Sequence, residues 1–101
     1  MNPEPLTESE KQTLLMLARQ SIELAVHKQP LPYLNPENYS PALQADGASF
    51  VTLTIDGELR GCIGALEAYQ PLVQDVCEHA AAAALEDYRF PPVRGAEVDK
   101  L

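Results

Sequence analysis

The chain has 101 residues, 46% hydrophobic and 22% charged, which suits one small folded domain and excludes both two domains and wholesale disorder. It carries 15 acidic and 7 basic residues, for a formal net charge of -8. A chain this acidic lacks the positive field that binding a phosphate backbone requires, so we expect no nucleic-acid partner.

The N-terminal stretch shows no basic segment followed by an apolar one, and no run of residues reaches the length of a membrane span. We therefore expect a cytoplasmic protein without a membrane partner. Its two cysteines, Cys62 and Cys77, lie on different predicted elements and form no dense cysteine framework. Free thiols are expected at both positions.

The first predicted element is a helix from about Glu8 to Lys28. Thr7 and Glu10 have the spacing of a capping box, and Pro30 ends the helix because the residue before a proline is pushed out of the α region. The pattern predicts a wide buried face that consists of Leu14, Leu15, Ala18, Ile22, Ala25 and Val26. Leu17 and Leu24 extend this face on one side.

Prolines at positions 30, 32, 36 and 41 break up the next segment, so only short turns are expected between Gln29 and Ala48. Ser40 and Pro41 suit the cap and first turn of one short helical piece that runs through Leu43.

A β-hairpin follows. Residues 49–55 are rich in β-branched and aromatic side chains, and Asp56-Gly57 suits the positive φ angles of a two-residue turn. One-for-one pairing outward from this turn predicts that Leu53 faces Arg60 and that the next such pair on the same side contains Cys62. Arg60 and Cys62 are therefore predicted to share one face of the sheet.

The last predicted element is a helix that begins at Pro71 and ends near Glu86. Asp87 falls on its apolar stripe, at the end where the helix dipole disfavours a carboxylate, so it needs a cation. Arg60 and Arg89 could each supply this cation. We expect Gln74, Asp75 and Glu78 to face outward, and the buried stripe to consist of Leu72, Val73, Val76, Cys77, Ala80, Ala83 and Ala84. No complete element is predicted after Pro92.

These elements predict an α+β fold, with helices packed on an antiparallel sheet that contains a central hairpin. Four segments, read together, closely resemble the AMMECR domain family: Leu17-Ala18-Arg19, Phe50-Val51-Thr52-Leu53, Leu59-Arg60-Gly61-Cys62-Ile63-Gly64 and Arg89-Phe90-Pro91-Pro92. The six-residue strand is the family's signature, and the Arg-Phe-Pro-Pro run is its second landmark. Their occurrence in this order is more specific than either alone.

The resemblance implies a two-layer domain on antiparallel sheet that is nearly twice as long as this chain. Residues 1–101 would then be the N-terminal half, a single partial domain, and its incomplete core would favour a homo-oligomer. In prokaryotes the resemblance implies a three-part set, in which this protein is component A beside a Memo-like protein and a radical S-adenosylmethionine protein. It implies no particular activity.

Cys62 is the sharpest candidate for chemistry, because Gly61 and Gly64 leave little bulk around its thiol and a ligand could approach closely. Arg60, if it shares that face, would favour the thiolate and act with Cys62 as a catalytic pair. The alternative is that Cys62 simply packs, as most free cysteines do. His79 could approach Cys62 as a base, although a packed histidine at the helix edge is the simpler interpretation.

Four further residues are candidate ligand-binding groups. Gly61 and Gly64 could expose backbone N–H groups that hold an anion beside Arg60, or could only mark a bulge or bend. Asp87 and Arg89 could line the same site, or Asp87 could form a structural ion pair that fastens helix to sheet.

Three hypotheses about function remain open. One is a small-molecule enzyme or enzyme component, which requires a cleft that reaches the Cys62 thiol. Another is a non-catalytic interaction module for the Memo-like and radical enzymes, which requires an exposed apolar surface. The third is a structural domain in which the signature only fixes a tight hairpin. No metal site is predicted, because C-x-x-C and H-x-x-x-H patterns are lacking, and no cofactor is assigned.

Overall fold

The structure, a computed structural model, describes residues 5–101. Helices pack on a two-stranded antiparallel sheet in an α+β arrangement, as expected. In chain order the described elements are α1 (Glu8–Val26), a 3-10 turn (Pro36–Asn38), α2 (Pro41–Gln44), β1 (Phe50–Ile55), β2 (Glu58–Gly64), α3 (Leu72–Leu85) and α4 (Gly95–Val98).

The start of α1 has the predicted capping box. The Glu10 N–H donates to Thr7 Oγ1 at 3.1 Å, and the Thr7 N–H donates to Glu10 Oε1 at 2.8 Å. The helix ends two residues before the predicted Lys28. Ser40 precedes α2 as predicted, but its side chain makes no capping hydrogen bond and its hydroxyl donates to the Glu10 carboxylate instead. This bond lowers the pKa of Glu10 and joins the 29–48 segment to α1.

The buried residues of α1 differ in part from the predicted ones. Leu17, Ser21 and Ile22 are its buried residues, whereas Leu15 is 57% exposed. The prediction for Leu15 was wrong because a wide apolar arc does not show which part of it the neighbouring helix covers. The small Ser21 lies fully buried, as does Cys77 of α3.

The hairpin turn is confirmed, with φ of 52° at Asp56 and 80° at Gly57. The register beyond it differs from the prediction. Thr54 pairs with Leu59 but Leu53 pairs with Gly61, so Arg60 is an extra residue that has no partner on β1.

The bulge at Arg60 moves the rest of β2 along by one position. Cys62 therefore pairs with Thr52, and not with Val51 as predicted. Because successive side chains alternate between faces, Cys62 lies on the face opposite to Leu53. We call the side of Leu53 the inner face. The outer face consists of Phe50, Thr52, Thr54, Leu59 and Cys62.

Helix α3 packs against the inner face, and α1 packs against α3. The close approach of α3 to β2 occurs at Gly61, where a Cβ atom would lie 2.2 Å from the Ala83 carbonyl oxygen. One buried cluster joins both helices to the sheet and consists of Ile22, Leu53, Ala80, Ala83, Ala84 and Val93. A second cluster joins α1, α2 and α3 and consists of Leu17, Leu43, Val73 and Cys77.

Two features of the second half were not anticipated. The segment after Pro92 forms a short helix, α4, whose first turn is closed by the Arg94 N–H donating to Glu97 Oε1 at 3.0 Å. Asp75 was expected to face outward, but it is fully buried. The cause of its burial is a polar cluster described below.

Candidate functional site at the hairpin

Arg60 is held by the C-terminal segment. Its guanidinium donates to Glu97 from Nε at 2.9 Å and from Nη2 at 3.1 Å. It also donates to the carbonyl oxygens of Pro91, at 2.8 Å, and Pro92, at 3.3 Å. The hydrogen bonds from Arg60 are the main reason that the pKa of Glu97 falls to about 2. The bulge thus directs Arg60 away from Cys62, which overturns the prediction that the two side chains share a face.

Asp87 pairs with Arg89 and not with Arg60. Arg89 donates to Oδ1 from Nε at 3.0 Å and to Oδ2 from Nη2 at 2.8 Å. The Cys62 N–H donates to the same Oδ2 at 3.0 Å. Arg89 first, and the Cys62 N–H second, hold the pKa of Asp87 well below its usual range. The carboxylate thereby satisfies a backbone donor at the free edge of β2.

The Cys62 thiol lies on the outer face and is half-buried. Its Sγ atom lies 3.3 Å from Thr52 Oγ1 across the strand pair. Arg89 is the arginine that the structure links to Cys62, because its guanidinium and the Cys62 backbone N–H donate to the same oxygen, Oδ2 of Asp87. The structure therefore brings Cys62, Asp87 and Arg89 together and leaves Arg60 out.

The two signature glycines are positions of close packing. Gly61 lies against the Ala83 carbonyl oxygen, and a Cβ at Gly64 would lie 2.5 Å from the Phe50 ring. Both contacts leave no room for a side chain. The anion cradle proposed for these glycines stays a prediction.

Sequence reasoning missed a buried polar cluster around Asp75. The Asp75 carboxylate accepts hydrogen bonds from Ser49 N at 2.8 Å, Ser49 Oγ at 2.6 Å and Gln70 Nε2 at 3.1 Å, and His79 Nδ1 lies 3.0 Å from its Oδ2. Burial alone would raise the pKa of Asp75, but these bonds outweigh it and the pKa is lowered. His79 thus pairs with Asp75 and makes no hydrogen bond to Cys62. In the sequence, the signal for this contact was the four-residue spacing of Asp75 and His79, which puts both side chains on the same side of a helix.

Three surface cavities bear on these hypotheses. The largest of them, about 260 Å³, lies between the 3-10 turn, α2 and the start of α3. The second, about 180 Å³, lies beside the start of α1. The third, about 170 Å³, separates α1 from β1. Neither Cys62 nor Arg60 lines any of these three.

Across residues 5–101, no three or more His, Cys, Asp or Glu side chains come together in a way that could hold a metal ion. In the same range, no helix combines the length and the apolar character that crossing a membrane demands.

Fold and site together define a small α+β protein with a bulged hairpin. The Arg60–Glu97 ion pair and the hydrogen bond from the Cys62 N–H to Asp87 tie this hairpin to the segment that follows α3. The AMMECR1 family model matches residues 15–101, and the chain belongs to that family.

Curated relatives and a solved structure agree with this assignment. A protein from Methanothermobacter thermautotrophicus is 38% identical over 97 residues, which cover 96% of this chain and 50% of the relative. A protein from Sulfolobus acidocaldarius is 41% identical over 93 residues, which cover 87% of this chain and 40% of the relative. The crystal structure of an uncharacterized protein from Pyrococcus horikoshii matches with a TM-score of 0.75 and 34% identity, over 87% of this chain and 45% of that one.

The chain thus spans about half the length of the curated relatives it matches. These relatives carry generic names that state no activity.

Proposed function

We propose that this chain is a binding module that docks on a partner protein through the outer face of its hairpin. One observation carries the proposal: the outer face is open, with Phe50 58% and Leu59 43% exposed, and with Thr52 and Thr54 exposed between them. Large apolar side chains on an uncovered sheet face are typical of protein-interaction surfaces.

The contacts within the chain favour binding over catalysis at this site. Arg60, which was expected to activate the thiol, is occupied by Glu97 and two backbone carbonyls. The cleft that an enzyme of this kind needs at Cys62 is not among the three cavities described above. The signature residues Arg60 and Gly61 hold the hairpin in place, and the outer face of that hairpin is left available to a partner.

The expected partners are the Memo-like protein and the radical S-adenosylmethionine protein that the family resemblance implies, in the cytoplasm. The tip of the hairpin, next to the outer face, carries Asp56 and Glu58, and the chain as a whole has a net charge of -8. A matching partner surface would therefore combine an apolar patch with basic groups at its rim.

The experiment is a calorimetric titration of the purified chain against each of the two purified partner proteins. Phe50→Ser and Leu59→Ser should each weaken binding by about tenfold, or about 1.4 kcal/mol, because each removes apolar contact area. Tyr33→Ser, at a tyrosine that is 90% exposed in the 29–48 segment, is the matched control and should bind like the wild type. Absence of binding to both partners, or equal effects of all three substitutions, would refute the proposal.

A second candidate function is thiol chemistry on an anionic small molecule at Cys62, with Arg89 as the cation. The observation in its favour is that Asp87 Oδ2 accepts hydrogen bonds both from Arg89 and from the Cys62 backbone N–H, which places a cation near this residue. Alkylation of the Cys62 thiol with an anionic and a neutral reagent tests this candidate.

A further inference from the structure

The second cavity lies between the start of α1 and the segment that joins the 3-10 turn to α2, and we call it the Glu10 cavity. Its volume is about 180 Å³. The polar part of its lining consists of Ser9, Glu10, Thr13, Asn38 and Ser40. Tyr39 and Leu43 complete the lining. Within residues 5–101 no lysine, arginine or histidine lines this cavity, so its charged side chain is the Glu10 carboxylate.

The Glu10 carboxylate is held in place by two hydrogen bonds. Its Oε1 atom accepts from the Thr7 N–H at 2.8 Å, and its Oε2 atom accepts from the Ser40 hydroxyl. The bond from Ser40 is the main reason that the pKa of Glu10 is lowered, so the carboxylate is ionised at neutral pH. Lys11, the next residue along α1, pairs with Glu8 at 3.5 Å. The cavity therefore has a fixed negative charge that this lysine does not neutralise.

The hydroxyl groups beside the carboxylate are already committed as donors. Thr13 Oγ1 donates to the Ser9 carbonyl oxygen at 3.0 Å, and Ser40 Oγ donates to Glu10. A hydroxyl has one proton to donate and two lone pairs that accept, so both oxygens are left with acceptor capacity alone. A ligand in this cavity meets acceptors and a negative charge, and matches them best with donors and a positive charge.

The position beside a helix start does not reverse this preference. A helix N-terminus carries about half a positive charge on its unpaired N–H groups, which by itself favours an anion. In α1 the capping box satisfies the Glu10 N–H, which donates to Thr7 Oγ1 at 3.1 Å. The full negative charge of Glu10 exceeds the partial charge of the helix end. The net local field therefore favours a cation.

We propose that the Glu10 cavity binds a primary aliphatic amine in its ammonium form. An ammonium group has three donors and no acceptor, which match the Glu10 carboxylate and the hydroxyl oxygens of Thr13 and Ser40. The alkyl chain of the ligand lies against Tyr39 and Leu43. A water molecule occupies roughly 30 Å³ in the liquid, so a cavity of about 180 Å³ has room for an ammonium group and a chain of about four carbon atoms.

The test titrates the purified, isotope-labelled chain with n-butylammonium chloride in an amine-free buffer and follows the amide chemical shifts by NMR. The amides around the cavity should shift together and saturate, with a dissociation constant on the order of 1 mM, as suits a ligand of few atoms. n-Butanol has the same chain without the charge, and butyrate has the opposite charge. Neither should saturate these shifts in the same concentration range.

Two results of this titration overturn the proposal. Shifts that do not saturate with n-butylammonium show that the cavity is no amine site. An equal response to n-butanol or to butyrate shows that the cavity selects an apolar chain, or that the helix start selects an anion.

Glu10→Gln removes the charge and keeps the capping box, which accepts glutamine at this position, so it should weaken n-butylammonium binding at least about tenfold. Glu37→Gln is the matched control. It removes a charge next to Asn38 in the sequence, from a residue that does not line the cavity, and should bind like the wild type. Equal affinities of these two variants overturn the proposal, because the attraction then comes from the overall negative charge of the chain.

Thr13→Val provides a second variant that removes one hydroxyl acceptor and keeps the shape of the side chain. It should weaken binding several-fold, since the ammonium group loses one of its acceptors. This variant decides the matter if Glu10→Gln does not fold, and wild-type affinity in Thr13→Val then overturns the proposal.

Discussion

Arg60 and Glu97 form a two-point ion pair, with Nε to Oε2 at 2.9 Å and Nη2 to Oε1 at 3.1 Å, between the bulge of β2 and α4. The same guanidinium donates to the carbonyls of Pro91 and Pro92. The two landmarks of the family, which lie about thirty residues apart, are therefore parts of one contact. This contact holds the C-terminal segment against the hairpin.

Loss of the Arg60 guanidinium should destabilise the protein. Arg60→Ala removes the guanidinium donors of Glu97 and of two carbonyls, and bonds to charged groups that are mostly shielded from water contribute about 1.5 to 3 kcal/mol. We expect the free energy of unfolding in urea to fall by about 2 kcal/mol. Lys11→Ala, which removes an exposed ion pair with Glu8, is the control and should change it by less than about 0.5 kcal/mol. Equal small effects of the two substitutions would contradict the structural role of Arg60.

The alkylation of Cys62 should depend on Arg89 and not on Arg60. Iodoacetate is anionic and iodoacetamide is neutral, so the ratio of their rates reports the charge beside the thiol. Arg89→Gln should lower this ratio several-fold, because Arg89 and the Cys62 backbone N–H bond to the same Asp87 oxygen. Arg60→Ala should leave the ratio unchanged because the bulge turns Arg60 away.

Cys77→Ser provides the control for that measurement. Cys77 is fully buried and burial raises the pKa of its thiol, so the folded protein should react only at Cys62 and the substitution should not alter the rate. If the ratio is the same in Arg89→Gln and in the wild type, the basis for an anionic ligand at Cys62 is removed.

Gly61→Ala should be strongly destabilising. The added methyl group would lie 2.2 Å from the Ala83 carbonyl oxygen, so strand and helix must separate. Forcing extra volume into a packed contact costs about 1 to 3 kcal/mol, and we expect the upper part of this range because both partners are backbone. Gly95→Ala is the control, since its nearest neighbour is the His27 ring at 3.4 Å and alanine favours the first turn of α4. A thermal melt of Gly61→Ala that matches the wild type would show that the close approach of α3 does not require glycine.

Part of the stability should be lost in acid through Glu97 and Asp87. The pKa of Glu97 is about 2 and the pKa of Asp87 is depressed, both below the values of an unfolded chain. A depressed pKa stabilises the folded state above the unfolded pKa, and this stabilisation disappears as the pH falls through the folded pKa. The midpoint of urea unfolding should therefore decline from about pH 4.3 downward. Glu97→Gln should flatten this decline, and a pH profile that is identical to the wild type would contradict the assignment.

The sequence by itself determined the elements whose causes are local. The capping box of Thr7 and Glu10, the Asp56-Gly57 turn and the start of α3 after Pro71 all depend on residues within a few positions of each other. Local hydrogen bonds and backbone preferences are enough to specify such features. The family's segments were equally readable, because they form a linear pattern that the family model confirmed over residues 15–101.

The tertiary structure decided the register of the hairpin and the partners of its charges. One-for-one pairing is the simplest continuation of a two-residue turn, and nothing near Arg60 in the sequence signals an extra residue. The bulge instead satisfies two distant contacts, Gly61 against Ala83 and Arg60 against Glu97, which lies 37 positions along the chain. Asp75 is buried for a similar reason, because its donor Ser49 is 26 positions away. A side chain's face depends on which distant groups satisfy its hydrogen bonds, and those groups become neighbours only when the chain has folded.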